Sequence, residues 1–316
     1  MNRISFITIL TLLLAVGCGK KKAEQFTALP FPDITLPGMI QNQQDAADYY
    51  ALHMWDKLAD PDRTYPSDSL LVSGVKKSDV EQRYANWLAI LDMVSLKTSE
   101  KAIDRLYDKA LSCERKDSTS NVFETFTSLA EKYLYDPNSP LRNEERYLHY
   151  AENLASYEGY SQIVRDRYAS EVKGCSLNRI GTQAADFSFA DSKGRITSLH
   201  DIKAPYTLLF FSNPGCEACM AIIEMLKGEQ KVTEMVSSGF LAVVNVYIDE
   251  DIQAWMDYMP IYPAEWHNGF DQDQVIRTEG LYSVRAIPSL YLLDNEKRVI
   301  LKDAPENVMM NHLMNL

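Results

Sequence analysis

The stretch Tyr206-Thr207-Leu208-Leu209-Phe210-Phe211-Ser212-Asn213-Pro214-Gly215-Cys216-Glu217-Ala218-Cys219 decides how the second half of the chain folds. Its first six residues are aromatic or aliphatic apart from one threonine, and Asn-Pro-Gly follows soon after. That is the pattern of a buried strand ended by a turn. Beyond the turn, Ala221, Ile222, Met225 and Leu226 recur at helical spacing, so a helix is expected whose first turn holds both cysteines. Amides in a helix's first turn lack intrahelical partners and favour negative charge, so a thiol placed there ionises more readily. Cys216 is therefore expected to be the nucleophile, and Cys219, one turn deeper, the thiol that resolves a mixed disulfide. Glu217 puts a second negative charge beside the nascent thiolate, which turns the pair away from strong oxidation.

Working outward, residues 187–189 and 196–199 read as strands around the turn Asp191-Ser192-Lys193-Gly194-Arg195. Apolar runs at 241–248, 289–293 and 298–301 add further strands, and residues 304–316 a terminal helix, giving an α/β pattern. A CxxC pair also serves zinc and structural bridges. Zinc, however, takes four ligands, and the five histidines (His53, His149, His200, His267, His312) form no spaced pair. No metal and no bound cofactor are expected, the redox group being the Cys216–Cys219 pair itself.

Strand, dithiol, helix and strand, followed by Arg285-Ala286-Ile287-Pro288 ahead of a further strand, are similar to the thioredoxin fold. The lead-in at 181–199 and the long stretch between Cys219 and Pro288, with an insertion expected at 251–278, look like the TlpA/ResA-like branch of membrane-tethered thioredoxins. The resemblance implies a central mixed sheet flanked by helices over residues 177–316, and thiol-disulfide exchange with protein or peptide thiols. It also implies a cis-proline at Pro288, whose preceding backbone pairs with substrate; an X-Pro bond adopts cis at low cost. The chain departs from the usual pattern in four places. Gly215 replaces the tryptophan before the first cysteine, Glu217-Ala218 replaces Gly-Pro, and the buried acid and lysine positions fall on Phe210 and about Asn245. The proton-transfer group for Cys219 must then lie elsewhere. His267 is one possibility, although a lone histidine is more often structural. In the insertion, Trp255, Tyr258, Tyr262 and Trp266 form either a substrate wall or, the better expectation, a packed core.

Residues 39–176 lack long β-prone runs. Val80, Tyr84, Trp87, Leu88, Leu91 and Val94 share one helical face, and Ile103, Leu106, Tyr107, Ala110 and Leu111 share another. Ser78-Asp79-Val80-Glu81 has the form of a capping box that would open a helix. An all-α bundle of roughly five or six helices is expected. Tyr135-Asp136-Pro137-Asn138-Ser139-Pro140 with Arg142-Asn143-Glu144 resembles the domain of unknown function that precedes thioredoxin-like modules in bacterial lipoproteins, a likeness that assigns no activity. Cys113 and Cys175 remain over. The alternatives are a structural disulfide between them, exchange of Cys175 with the dithiol, and two free buried thiols.

At the amino end, Arg3 precedes an apolar run at 4–16 that is too short for a bilayer span of about 20 residues. Leu14-Ala15-Val16-Gly17-Cys18 resembles a lipoprotein processing site. This implies a signal peptide at 1–17, lipid on Cys18, and a charged, proline-punctuated tether at 18–38. The expected location is the bacterial cell envelope, lipid-anchored and facing the periplasm, with an unidentified redox donor. The 316 residues carry a net charge of -12, which excludes broad nucleic-acid binding. Two other functions compete with thiol-disulfide exchange. One is an envelope scaffold with a structural CxxC bridge. The other is a peroxiredoxin, disfavoured because Leu209 and Asn213 stand where that family has proline and threonine.

Overall fold

The computed structural model describes residues 27–63, 65 and 69–316. The signal-peptide reading, Cys18 and the first part of the tether lie outside them. No helix among the described residues is long and apolar enough to cross a membrane.

The first half is helical, as expected: α1 (Gln43–His53), α2 (Lys77–Leu91), α3 (Leu96–Lys116), α4 (Val122–Ala130), a π-helical turn (Glu131–Tyr135), α5 (Glu144–Ser156) and α6 (Gln162–Cys175). Their apolar stripes converge on one core in which Trp87, Tyr84, Tyr147, Tyr150 and Phe126 are almost fully buried. Trp55 packs edge-on to Phe126 and Trp87, with centroids 4.8 and 5.9 Å away, and the Trp87 indole donates to the Ala51 carbonyl at 2.9 Å. Burying an aromatic body while satisfying its polar edge makes such side chains dominant core contributors.

Two local readings are corrected. The segment before α2 holds a short hairpin, β1 (Leu71–Val72) and β2 (Val75–Lys76), turned by Ser73 and Gly74, both at positive φ. Two consecutive left-handed residues make the tight turn that matches strand twist. Because β2 runs straight into α2, the helix starts at Lys77, and no side chain caps its first turn. Ser78 lies inside the helix and donates to Asp79, while Glu81 accepts from Lys132 and Tyr133. The Ser78–Glu81 box therefore does not form. Real side-chain caps occur at Ser95, which accepts from the Thr98 amide, and at Asn143, which accepts from the Arg146 amide.

The second half is a seven-stranded mixed sheet flanked by helices. In chain order its strands are β3 (Ser188–Ala190), β4 (Ile196–Ser198), β5 (Tyr206–Phe211), β6 (Leu241–Tyr247), β7 (His267–Phe270), β8 (Ser289–Leu293) and β9 (Val299–Leu301). Its helices are α7 (Glu217–Gly228), α8 (Gln230–Ser237), α9 (Ile252–Tyr258), α10 (Val275–Thr278) and α11 (Glu306–Met314). The strand order is β4-β3-β7-β6-β5-β8-β9. Strand β5 pairs parallel with β6 and antiparallel with β8, so its apolar run is covered on both edges and both faces. Leu208 and Phe210 join one core with Ile222, Ile223 and Leu226 of α7. Leu209 and Phe211 join the core on the opposite face with Phe187 and Tyr282.

The insertion contributes α9 and the extra parallel strand β7. Its Trp255, Tyr262 and Trp266 are buried in the core on the α7 face, which is the packed alternative rather than a substrate wall.

Candidate functional site

Strand β5 ends at Phe211, and Ser212-Asn213-Pro214-Gly215 turns the chain into α7. Gly215 sits at φ +71°, with nothing within 4 Å of the position a Cβ would occupy. Backbone conformation rather than crowding therefore demands glycine there. Cys216 follows as the N-cap of α7, and its Sγ accepts the Cys219 amide at 3.1 Å. The two sulfurs are bonded, with Cα atoms 5.2 Å apart. Cys216 is half-buried, whereas Cys219 is 1% exposed within the core beneath α7. An incoming sulfur can thus reach only the first cysteine, and the helix N-terminus stabilises the charge left there when the bridge opens.

The Ile287–Pro288 peptide bond is cis. Phe211 pairs with Ser289 across the β5–β8 ladder, so Pro288 stands beside the end of β5 from which the dithiol loop departs. Ile287 and Cys216 pack against the same core. Residues separated widely in sequence are brought together at one end of the sheet by that register.

The face of the sheet behind Cys219 carries neutral groups. Phe210 and Asn245, the two positions expected to lack the usual charges, are direct partners in the β5–β6 ladder. Ser212 donates to Asn245, whose amide donates to Asn268 at 3.0 Å, and Asn268 donates to the Pro263 carbonyl at 2.7 Å. Tyr262 lies beside Ser212 and Asn245, and burial raises its pKa. A hydrogen-bonded polar chain thus fills the space without burying a net charge. His267 pairs with Val244, and Val244 belongs to the core of the opposite face. Strand alternation therefore turns the histidine away from Cys219 and removes it as the missing base.

The proposed bridge between Cys113 and Cys175 is absent; both thiols are free and buried. Cys113, near the end of α3, has Asp60, Lys109 and Lys116 as its charged neighbours. Cys175, at the end of α6, lies among Glu144, Lys302 and Arg285, and burial pushes its thiol up to about 12. The two belong to different surroundings within the helical core. An even cysteine count in an oxidising compartment carries no information about distance.

A buried ion cluster beneath the cis-proline segment went unforeseen. Glu144 of the helical half meets Arg285 and Lys302 at 2.8 and 2.9 Å, and Asp303 meets Arg285 at 3.2 Å. Glu144, Lys302 and Asp303 are all less than 8% exposed. Burial and the neighbouring Glu144 charge push the Asp303 carboxyl up. Sequence offered only the presence of Glu144 in the stretch that resembles the domain of unknown function, and the run Lys302-Asp303 after β9.

Comparison with known proteins agrees with this architecture. A family described as a domain of unknown function (DUF5106) matches residues 18–178. A thioredoxin-like protein from Bacteroides caccae is 34% identical, with a TM-score of 0.78 over 92% of this chain and 99% of that one. The C-terminal domain of an uncharacterised protein from Bacteroides fragilis is 40% identical over 43% of this chain and 98% of its own length, with a TM-score of 0.42. No curated protein matches.

Proposed function

The chain belongs to the DUF5106 family, in a two-part arrangement shared with a thioredoxin-like protein from Bacteroides caccae, and from that premise we propose that it is a thiol-disulfide oxidoreductase acting on protein or peptide thiols outside the cytoplasm. The observation that carries the reading is the Cys216–Cys219 bridge at the N-terminus of α7, reachable at Cys216 and buried at Cys219, beside a cis-proline at the same end of the sheet.

In the reducing direction, the Cys216 thiolate attacks one sulfur of a substrate disulfide and expels the other as a thiolate. Cys219 then attacks Cys216 Sγ, which re-forms the Cys216–Cys219 bond and releases the second substrate sulfur. Two electrons pass from the dithiol to the substrate, and an external thiol donor must restore them. Pro288 would hold the substrate strand through the preceding backbone. Glu217, exposed next to Cys216, opposes accumulation of thiolate, which favours a reductant or exchanger over a strong oxidant. The resemblance of residues 14–18 to a lipoprotein processing site supports a lipid on Cys18 and a place in the bacterial envelope, facing the periplasm.

The test is insulin reduction with a small-thiol donor. Cys216→Ala should lower the rate to the uncatalysed background, while Cys175→Ala should stay within about twofold of the unaltered chain, because a buried, protonated thiol is inert. Undiminished activity in Cys216→Ala would remove the proposed nucleophile.

A further inference from the structure

The cis-proline segment is gripped from the helical half of the molecule. Arg285, three residues before Pro288, donates its Nε to Glu144 Oε1 of α5 at 2.8 Å and an Nη to the Tyr135 carbonyl. Its guanidinium carbon lies 4.2 Å from the centre of the Tyr135 ring, which is itself stacked on Tyr147 at 4.4 Å. On the other side of the proline, the Ser289 hydroxyl donates to Asp303 Oδ1 at 2.7 Å, and Asp303 Oδ2 accepts from Arg285. Asp303 is held from the helical half as well: Arg142 Nε donates to its carbonyl and Arg142 Nη2 to the Ala304 carbonyl, both at 2.9 Å. Lys302 then closes the cluster, 2.9 Å from Glu144 Oε2, with its ammonium also donating to the Cys175 and Leu177 carbonyls.

The segment 285–289 is therefore clamped on both sides of Pro288, and the groups that complete the clamp, Tyr135, Arg142 and Glu144, all come from the helical half. A planar guanidinium fork fixes orientation as well as distance, since each N–H direction is rigid. Removing Glu144 leaves the buried Lys302 with no carboxylate partner and Arg285 sharing Asp303 with Arg142, so the loop must shift or admit water. A surface that only packs two domains together has no need to address this loop through directional, charged contacts.

We propose that the helical half is a positioning element of the redox site, in which Glu144 acts through Arg285 to hold the cis-proline segment in the geometry that receives a substrate chain. The proposal rests on the thiol-exchange reading for its consequence, but its structural content is independent of it. Glu144 touches no reacting sulfur. Its loss should weaken binding of an extended protein substrate and leave the chemistry of Cys216 as it was.

The experiment uses the full chain with Glu144→Gln, and with Tyr135→Leu as a second variant that keeps every charge paired and removes the aromatic ring that lies under Arg285 and stacks on Tyr147. Backbone amide order parameters of residues 285–287 from NMR relaxation, the KM and kcat of insulin reduction, and the alkylation rate of reduced Cys216 by iodoacetamide are measured side by side. In Glu144→Gln, the order parameters of 285–287 should fall from the rigid range of about 0.85 to below about 0.6, while those of β6 stay unchanged. KM should rise at least fivefold with kcat and the alkylation rate within twofold. Tyr135→Leu should lower the same order parameters by a smaller amount and raise KM two- to threefold, and carries the test alone if Glu144→Gln does not fold. Unchanged order parameters at 285–287 would overturn the proposal, as would a kcat and alkylation rate that fall together with KM unmoved. If the unaltered chain fails to reduce insulin, the thiol-exchange reading falls, and the order parameters still decide whether Glu144 holds the segment.

Discussion

The two cysteine pairs of this chain invite comparison because both lie in folded, tightly packed regions and only one is bonded. Cys216 and Cys219 are three residues apart at a helix start, a spacing that fixes their proximity whatever the rest of the molecule does. Cys113 and Cys175 sit at the ends of α3 and α6, in one large core but among different neighbours, and both remain thiols. Local spacing specifies geometry, whereas a count of leftover cysteines specifies none. The surroundings complete the contrast. Cys216 has a free helix N-terminus and partial exposure, while Cys175 has a closed apolar and carboxylate-flanked site that disfavours its thiolate.

Reactivity should amplify that contrast more than any other property. With a thiol held up at about 12, Cys175 has on the order of a thousandth of the thiolate of an ordinary cysteine near neutral pH, before any loss of access is counted. After mild reduction, time-resolved alkylation followed by peptide mass spectrometry should label Cys216 on the order of a thousandfold faster than Cys175. Comparable labelling of Cys113 or Cys175 in the native chain would break the comparison.

The next largest effect concerns what keeps Cys175 closed. Lys302 Nζ caps the Cys175 and Leu177 carbonyls and pairs with Glu144 in a site almost without exposure. Lys302→Met preserves the stem but leaves two buried carbonyls and a carboxylate short of a partner. It should lower unfolding free energy by about 3–5 kcal/mol, the usual result of breaking a buried pair from one side. Denaturant titration measures the loss, and the Cys175 alkylation rate should rise in parallel. A stability change below about 1 kcal/mol would mean that water replaces the ammonium at no cost.

These contrasts also mark where sequence was sufficient. The dithiol, its strand and helix and the helical stripes were legible because each is carried by a periodicity or a spacing within about twenty residues, whereas the cis-proline at Pro288, 69 positions after Cys219, followed only from the resemblance to the thioredoxin fold. The hairpin at Ser73 and Gly74 was missed because each of its strands is only two residues long, too short to show alternation. Strand β7 reads His267-Asn268-Gly269-Phe270, with little β propensity of its own, and forms because β6 offers an open edge while Asn268 completes the polar chain from Ser212. The ion cluster was invisible for a different reason. Arg285 and Glu144 are 141 positions apart, and charged residues at isolated positions in a sequence look like solvated surface until topology buries them.

The smallest predicted effect tests the dithiol's own tuning. Glu217 is exposed in the first turn of α7, immediately after Cys216. It favours the helix dipole, but it also repels the neighbouring thiolate, and a single exposed charge a few ångströms away acts with about 1 kcal/mol in water. Glu217→Gln should therefore move the pH profile of Cys216 alkylation to lower pH by less than about one unit. The sign follows from removing a negative charge that disfavours the anionic form. At about 1 M salt, where the screening length falls to about 3 Å, the variant and the unaltered chain should converge. A shift toward higher pH would show that Glu217 acts chiefly by stabilising the helix turn that holds Cys216, rather than by repelling its charge.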